Sequence, residues 1–154
     1  MAKILVISDS HGKFDKIHKM VEKEKPDYII FTGDHSKDGI ELSYLYNDKI
    51  KFYIVKGNTD YMDRDSKEEL EIQIDGFKFL LTHGHLYGVK RGYDNLKLVA
   101  EKKKVDVVIF GHTHNKYYEK YKNIEIFNPG AAQDGNYGII EIEGDKIKFM
   151  HKGL

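Results

Sequence analysis

The sequence predicts an α/β domain with a mixed sheet, or two sheets, flanked by helices. Three observations carry that prediction. Short β-branched apolar runs alternate with amphipathic stretches in the first half of the chain. Hairpin patterns concentrate in the second half. The 154 residues contain no internal repeat, low-complexity tract or Pro/Ser-rich linker, which fits one domain over 1–154 with enough chain for a core.

Ile4-Leu5-Val6-Ile7 reads as a buried strand, because the run leaves no polar face. Phe14, Ile17 and Val21 follow at spacings of three and four with Lys and Glu between them, an amphipathic helix that ends before Pro26. Tyr28–Phe31 is a second buried strand, Ile40–Tyr46 a helix and Phe52–Val55 a third strand. Leu70, Ile72 and Ile74 then alternate with polar residues, Asp75-Gly76 supplies a turn, and Phe77–Leu81 returns as a hairpin. Leu96–Lys104 is helical and leads into the buried run Val107–Phe110. The rest reads as strand: Tyr117–Tyr121, Ile124–Phe127, Tyr137–Ile142, a turn at Glu143-Gly144-Asp145, and Lys146–Met150.

Composition narrows the function classes. With no cysteine there is no thiolate zinc site, iron–sulfur cluster or Cys nucleophile, so any metal is held by nitrogen and oxygen. Lys+Arg and Asp+Glu both number 25, which gives no electrostatic footprint for nucleic acid or an anionic membrane. The apolar runs are far shorter than the ~20 residues a membrane span needs. Met1-Ala2-Lys3 enters the first run without a signal-peptide pattern, so a cytoplasmic location is expected.

The polar segments at the ends of the apolar runs carry the chemistry. The five segments are Ser8-Asp9-Ser10-His11, Thr32-Gly33-Asp34-His35, Gly57-Asn58-Thr59-Asp60, Thr82-His83-Gly84-His85 and Gly111-His112-Thr113-His114. They hold six of the eight histidines. Ligands of open α/β sheets bind outside the carboxyl ends of strands, so five such ends can share one crevice. Any one segment alone reads as a turn. Turns, however, have no use for His-x-His after a buried strand. A serine triad through Ser8 or Ser10 lacks a Gly-x-Ser-x-Gly elbow. Mixed His, Asp and Asn donors suit Mn, Fe, Zn or Ni with open positions. Seven candidate ligands exceed the needs of one four-coordinate zinc, so two metals are the economical reading.

At these five segments, in this order, the sequence resembles the calcineurin-like metallophosphoesterases. The shortness of the chain and Asn128-Pro129-Gly130 resemble the small bacterial and archaeal phosphodiesterase branch. The resemblance implies a four-layer αββα sandwich of two mixed β-sheets flanked by helices. It also implies two divalent metal ions, manganese first, with nickel, iron or zinc as alternatives. Carried over, Asp9, His11 and His114 hold one ion, Asn58, His83 and His112 hold the other, and Asp34 bridges them. The implied activity is hydrolysis of a small phosphate ester, a diester foremost, by in-line attack of a hydroxide bridging the ions.

One departure concerns catalysis. Position 59 is Thr where many members place a His beside the leaving group, and a hydroxyl cannot titrate in that role. Asn58, Asp60 and His85 are therefore the catalytic candidates besides the metal ligands, and His35 is a further substitute for the missing acid. Good leaving groups are the expected preference. His18 and His151 read as structural or solvated, and Lys102-Lys103-Lys104 as a solvated helix end. Tyr117, Tyr118 and Tyr121 read as packing residues; with the resemblance they make a homodimer an expectation. The rival readings are a protein-binding scaffold with the same fold, as in the retromer scaffold subunit of eukaryotes, and a nucleotidase or phosphomonoesterase using the same metals.

Overall fold

The computed structural model describes residues 1–46 and 48–154. Its first sheet contains β1 (Ala2–Ile7), β2 (Tyr28–Phe31), β3 (Lys51–Ile54), β9 (Asn136–Glu143) and β10 (Lys146–Gly153), in the order β10-β9-β1-β2-β3. The second contains β4 (Glu69–Ile74), β5 (Phe77–Thr82), β6 (Val107–Ile109), β7 (Tyr117–Tyr121) and β8 (Ile124–Asn128), in the order β4-β5-β6-β8-β7. Both sheets are mixed. β1, β2 and β3 run parallel, as do β5, β6 and β8, and hairpin partners pair antiparallel at the edges. The helices are α1 (Phe14–Glu24), α2 (Ser36–Tyr46) and α3 (Asp94–Lys103).

Alternation along the buried strands builds the layers. Ile4 and Val6 face one way and pack with Ile30, Phe79, Leu81, Ile109 and Phe127 in a cluster drawn from both sheets. Leu5 and Ile7 face the other way, onto Ile17, Met20 and Val21 of α1 and Leu42 of α2. On the second sheet Leu80, Val108 and Phe110 turn out toward Leu96 and Ala100 of α3. Strands with two apolar faces thus need cover on both sides, and the result is the αββα sandwich.

Several element boundaries differ from the sequence expectation. The second helix begins at Ser36 rather than Ile40, because Asp60 accepts the N–H groups of Asp34, His35 and Ser36 from a distant turn. The third strand ends at Ile54; Val55 makes only an isolated bridge with Lys67. The last strand runs on to Gly153 because β9 offers a partner as far back as Asn136. α1 stops where Lys25 turns left-handed, its N–H bonding Val21 O, just ahead of Pro26. Among the described residues no helix is long and apolar enough to cross a membrane.

Candidate metal centre

The parallel strands of both sheets deliver their carboxyl ends to one rim. Backbone bonds tie the ends together: Asp9 N–H to Gly33 O at 2.9 Å and Gly111 N–H to His83 O at 3.0 Å. The sheets are joined by His83 Nδ1, 2.8 Å from Thr32 O. The carbonyl can only accept, so Nδ1 carries a proton, and it is Nε2, once free of its own proton, that can offer a lone pair to a metal at the rim.

Two groups of donor atoms meet there, each within 4.8 Å of one another: Asp9, His11, Asp34 and His114, then Asp34, His83 and His112. Asp34 belongs to both. The ring nitrogens of His11 and His114 stand 3.3 Å apart, and those of His83 and His112 3.2 Å apart. Ligand atoms ~2.1 Å from one ion have about this spacing. Asp9 Oδ1 is the sharper indication. Asp9 is fully buried, yet Oδ1 has no hydrogen-bond partner. It lies 3.3 Å from His114 Nε2 and 3.8 Å from both His11 and His83 Nε2. Ser8 Oγ–H and His112 N–H already occupy Oδ2. An orphaned carboxylate oxygen facing three imidazoles fits a cation. The donor set therefore fits divalent metal.

The carboxylates are poised differently. Burial raises the pKa of Asp9, an effect that His83, Ser8 and His114 only partly offset. Burial also acts against Asp34, but His83 and the Thr59 donors outweigh it and hold its carboxyl well below the usual range. Thr59 gives Asp34 Oδ1 both its N–H, at 3.1 Å, and its hydroxyl, at 2.9 Å. Burial, then the charges of His83 and Lys90, push His112 down to about 4, favouring the neutral, ligating imidazole.

Backbone conformation marks the same residues. Asp9, His11, Asp34, His35, His112 and His114 have positive φ, six of the ten such non-glycine residues among those described. Left-handed backbone is uncommon for non-glycine residues even though Asp and His tolerate it better than most, and its concentration at one rim indicates a functional constraint. The adjacent glycines are there for clearance. A Cβ at Gly111 would lie 2.0 Å from Ser8 Oγ and 2.6 Å from Asp9 Oδ2; one at Gly57 would lie 2.3 Å from Asp34 Oδ1.

The other candidates fall nearby. Asn58 is exposed on the turn after β3, beside Thr59. Asp60 is buried beneath that turn, its carboxylate accepting N–H groups from Gly57, Asp34, His35 and Ser36. His85 opens a short 3₁₀ turn, its ring 5.5 Å from His83 and 6.2 Å from His112, with Nδ1 buried and unpartnered. His151 stacks on Phe127 and bonds Asn128 O, while His18 meets Tyr46. Sequence reasoning missed the supporting layer. The Gln133 amide meets His114 Nδ1 at 3.2 Å, and Asp38 accepts from Ser10 Oγ and Gly12 N. No spacing pattern announces these contacts.

The family model described as a calcineurin-like phosphoesterase superfamily domain matches residues 2–145. The chain belongs to the calcineurin-like phosphoesterase superfamily. It is 35% identical over 137 residues to a probable metallophosphoesterase of Mycoplasma genitalium, covering 86% of this chain and 78% of that one. It is 29% identical over 148 residues to a phosphodiesterase of Methanocaldococcus jannaschii, covering 84% of each. In fold it matches vacuolar protein sorting 29 of Cryptosporidium parvum with a TM-score of 0.84 at 20% identity, over 99% of this chain and 91% of that one. As a member of the superfamily the chain is expected to use divalent metal, and its rim offers the donors.

Proposed function

We propose that this calcineurin-like chain is a metal-dependent phosphodiesterase of small phosphate esters, working with two divalent ions, manganese foremost. The observation that carries the reading is the double cluster around Asp34, with Asp9 Oδ1 buried and unpartnered beside it. The name of the archaeal relative supports the diester preference. When bound, such ions supply Lewis acidity toward phosphate oxygens and toward water.

The chain's own residues do the rest. Asp9, His11 and His114 would hold one ion, Asn58, His83 and His112 the other, and Asp34 both. Thr32 O keeps His83 in its ligating tautomer, and Ser8 directs Asp9 by occupying Oδ2. Thr59 anchors Asp34 Oδ1, while Oδ2 lies 3.3 Å from His83 Nε2. Asn58 and His85 contact the ester in this reading, and Asp60 positions the turn that carries Asn58. With Thr at position 59, no imidazole there protonates the leaving group. Nitrophenyl diesters are therefore expected to turn over well ahead of alkyl diesters.

The test is hydrolysis of bis-p-nitrophenyl phosphate and p-nitrophenyl phosphate with and without Mn²⁺, in the native chain and in Asp34→Asn. The expected result is Mn²⁺-stimulated cleavage, faster for the diester, and its loss together with metal content in the variant. Faster monoester cleavage favours a phosphomonoesterase. No metal-stimulated turnover of either favours a scaffold, although a scaffold gains nothing from an orphaned buried carboxylate oxygen.

A further inference from the structure

Beside the metal centre lies an open groove of about 630 Å³, bounded by α2 and the turn after β3. Its wall includes His35, Lys37, Ile40, Thr59, Met62 and Arg64. The groove is continuous with the candidate centre through two residues. Thr59 donates to Asp34, and His35 follows Asp34 in the chain. His35 shares the left-handed conformation of the proposed ligands, at φ 77°, although no ligand role falls to it. Its ring stands at the groove with Nε2 3.6 Å from Asp38 Oδ1, and Asp38 is in turn fixed by Ser10 and Gly12.

The lining states what the groove can take. Ile40 and Met62 are apolar, and Met62 is 80% exposed, a large hydrophobic side chain left without cover. A thioether and an imidazole lining the same groove both favour a flat ring. Lys37 and Arg64 face Asp60, Asp63 and Asp65, so the lining carries no excess of positive charge for a second anion. The carboxylates of Asp60 and Asp63 are already engaged by backbone and serine donors, so neither offers a free acceptor for a cationic guest. The volume lies within the range that holds a small organic ligand, ~300–1,000 Å³.

We propose that this groove is a subsite for an uncharged, ring-bearing ester group of nucleoside size, attached to the phosphate held at the centre. The subsite rests on the phosphoesterase reading for its phosphate, and it deepens that reading by naming the organic half of the substrate. Thr59 belongs to both places, lining the groove while anchoring Asp34 at the centre.

Binding separates this inference from catalysis. Thymidine 5′-monophosphate and methyl phosphate are titrated calorimetrically into the Mn²⁺-loaded native chain and into Met62→Ala. The nucleotide is expected to bind at least about tenfold tighter, the scale of one buried ring, and Met62→Ala to shrink that preference about fivefold. Thymidine 3′,5′-bisphosphate is expected to gain less than twofold over the monophosphate, because the groove has no excess of positive charge to offer. Equal affinity for the nucleotide and methyl phosphate overturns the subsite, as does an unchanged preference in Met62→Ala. A tenfold gain for the bisphosphate overturns the uncharged guest. A native chain that shows the nucleotide preference yet hydrolyses no diester keeps the groove and loses the phosphodiesterase reading.

Discussion

Asp60 is the residue on which the rim most depends without belonging to either donor cluster. Its buried carboxylate accepts four backbone N–H groups, from Gly57 and from the three consecutive residues Asp34, His35 and Ser36. It therefore fixes the turn carrying Asn58 to the turn carrying Asp34. It also supplies the start of α2 with the acceptors that a helix N-terminus lacks. Truncation leaves these donors unpaired. Asp60→Ala is expected to cost on the order of 3 kcal/mol, which for a chain of this size lowers the melting temperature by roughly 6–12 °C. Asp60→Asn keeps one acceptor oxygen and recovers about half of that loss. Thermal denaturation of both variants checks the ranking. Equal stability of Asp60→Ala and the native chain removes the clamp.

At the scale of elements, the sequence pattern is most readable where a strand is buried on both faces. Ile4–Ile7, Tyr28–Phe31 and Val107–Ile109 stand within the runs read from apolar continuity, and the polar segments after them are the ones that meet at the rim. What the pattern omits is any feature that depends on a distant partner. The first turn of α2 is capped by Asp60, which lies 24 residues beyond Ser36, so no local signal marks Ser36 as its start. The division of ten strands between two sheets is likewise set by pairing across the chain. Glu24 at the end of α1 is such a long-range feature. It is 5% exposed, receives the Tyr137 hydroxyl from β9, and pairs with Lys3 of β1 at 3.1 Å and Lys152 of β10 at 3.4 Å. Burial would raise its pKa, but these partners outweigh burial and hold it below the usual glutamate value. The folded chain therefore binds fewer protons here than the unfolded one. The contribution is complete above the ordinary glutamate pKa of ~4.3 and fades as pH falls through the lower folded value. Tyr137→Phe is expected to cost about 1–2 kcal/mol at pH 7 and less at pH 3. Urea denaturation at both values checks this; an equal or larger cost at pH 3 removes the linkage.

For the whole molecule, the donor atoms are distributed so that a bound metal would join the two halves of the sandwich. Asp9 and Asp34 follow strands of the first sheet, while His83, His112 and His114 follow strands of the second. Between the sheets the core is apolar and non-directional, so metal bound across the rim would add to the few directional contacts at the seam, His83 to Thr32 O and His112 N–H to Asp9 Oδ2. Asp9 Oδ1 is a buried acceptor with no protein partner, and the paired imidazole nitrogens stand 3.2–3.3 Å apart, so the rim's donors are left for a cation to satisfy. Metal binding and folding are then linked. An ion present at 1,000 times its dissociation constant adds ~4 kcal/mol, or on the order of ten degrees in melting temperature for a chain of this size. Chelation is expected to remove that increment and Mn²⁺ to restore it. Hydrogen exchange supplies the spatial check. Amides at the rim, such as Thr32 N–H bonded to Ile7 O and Gly111 N–H bonded to His83 O, are expected to lose protection on chelation. Amides of the β9–β10 hairpin near Glu143 and Lys146, at the turn joining those strands, are expected to keep theirs. A melting temperature that ignores chelation while metal content falls rules out the staple, and uniform loss of protection across both regions shows that metal acts on global stability rather than at the seam.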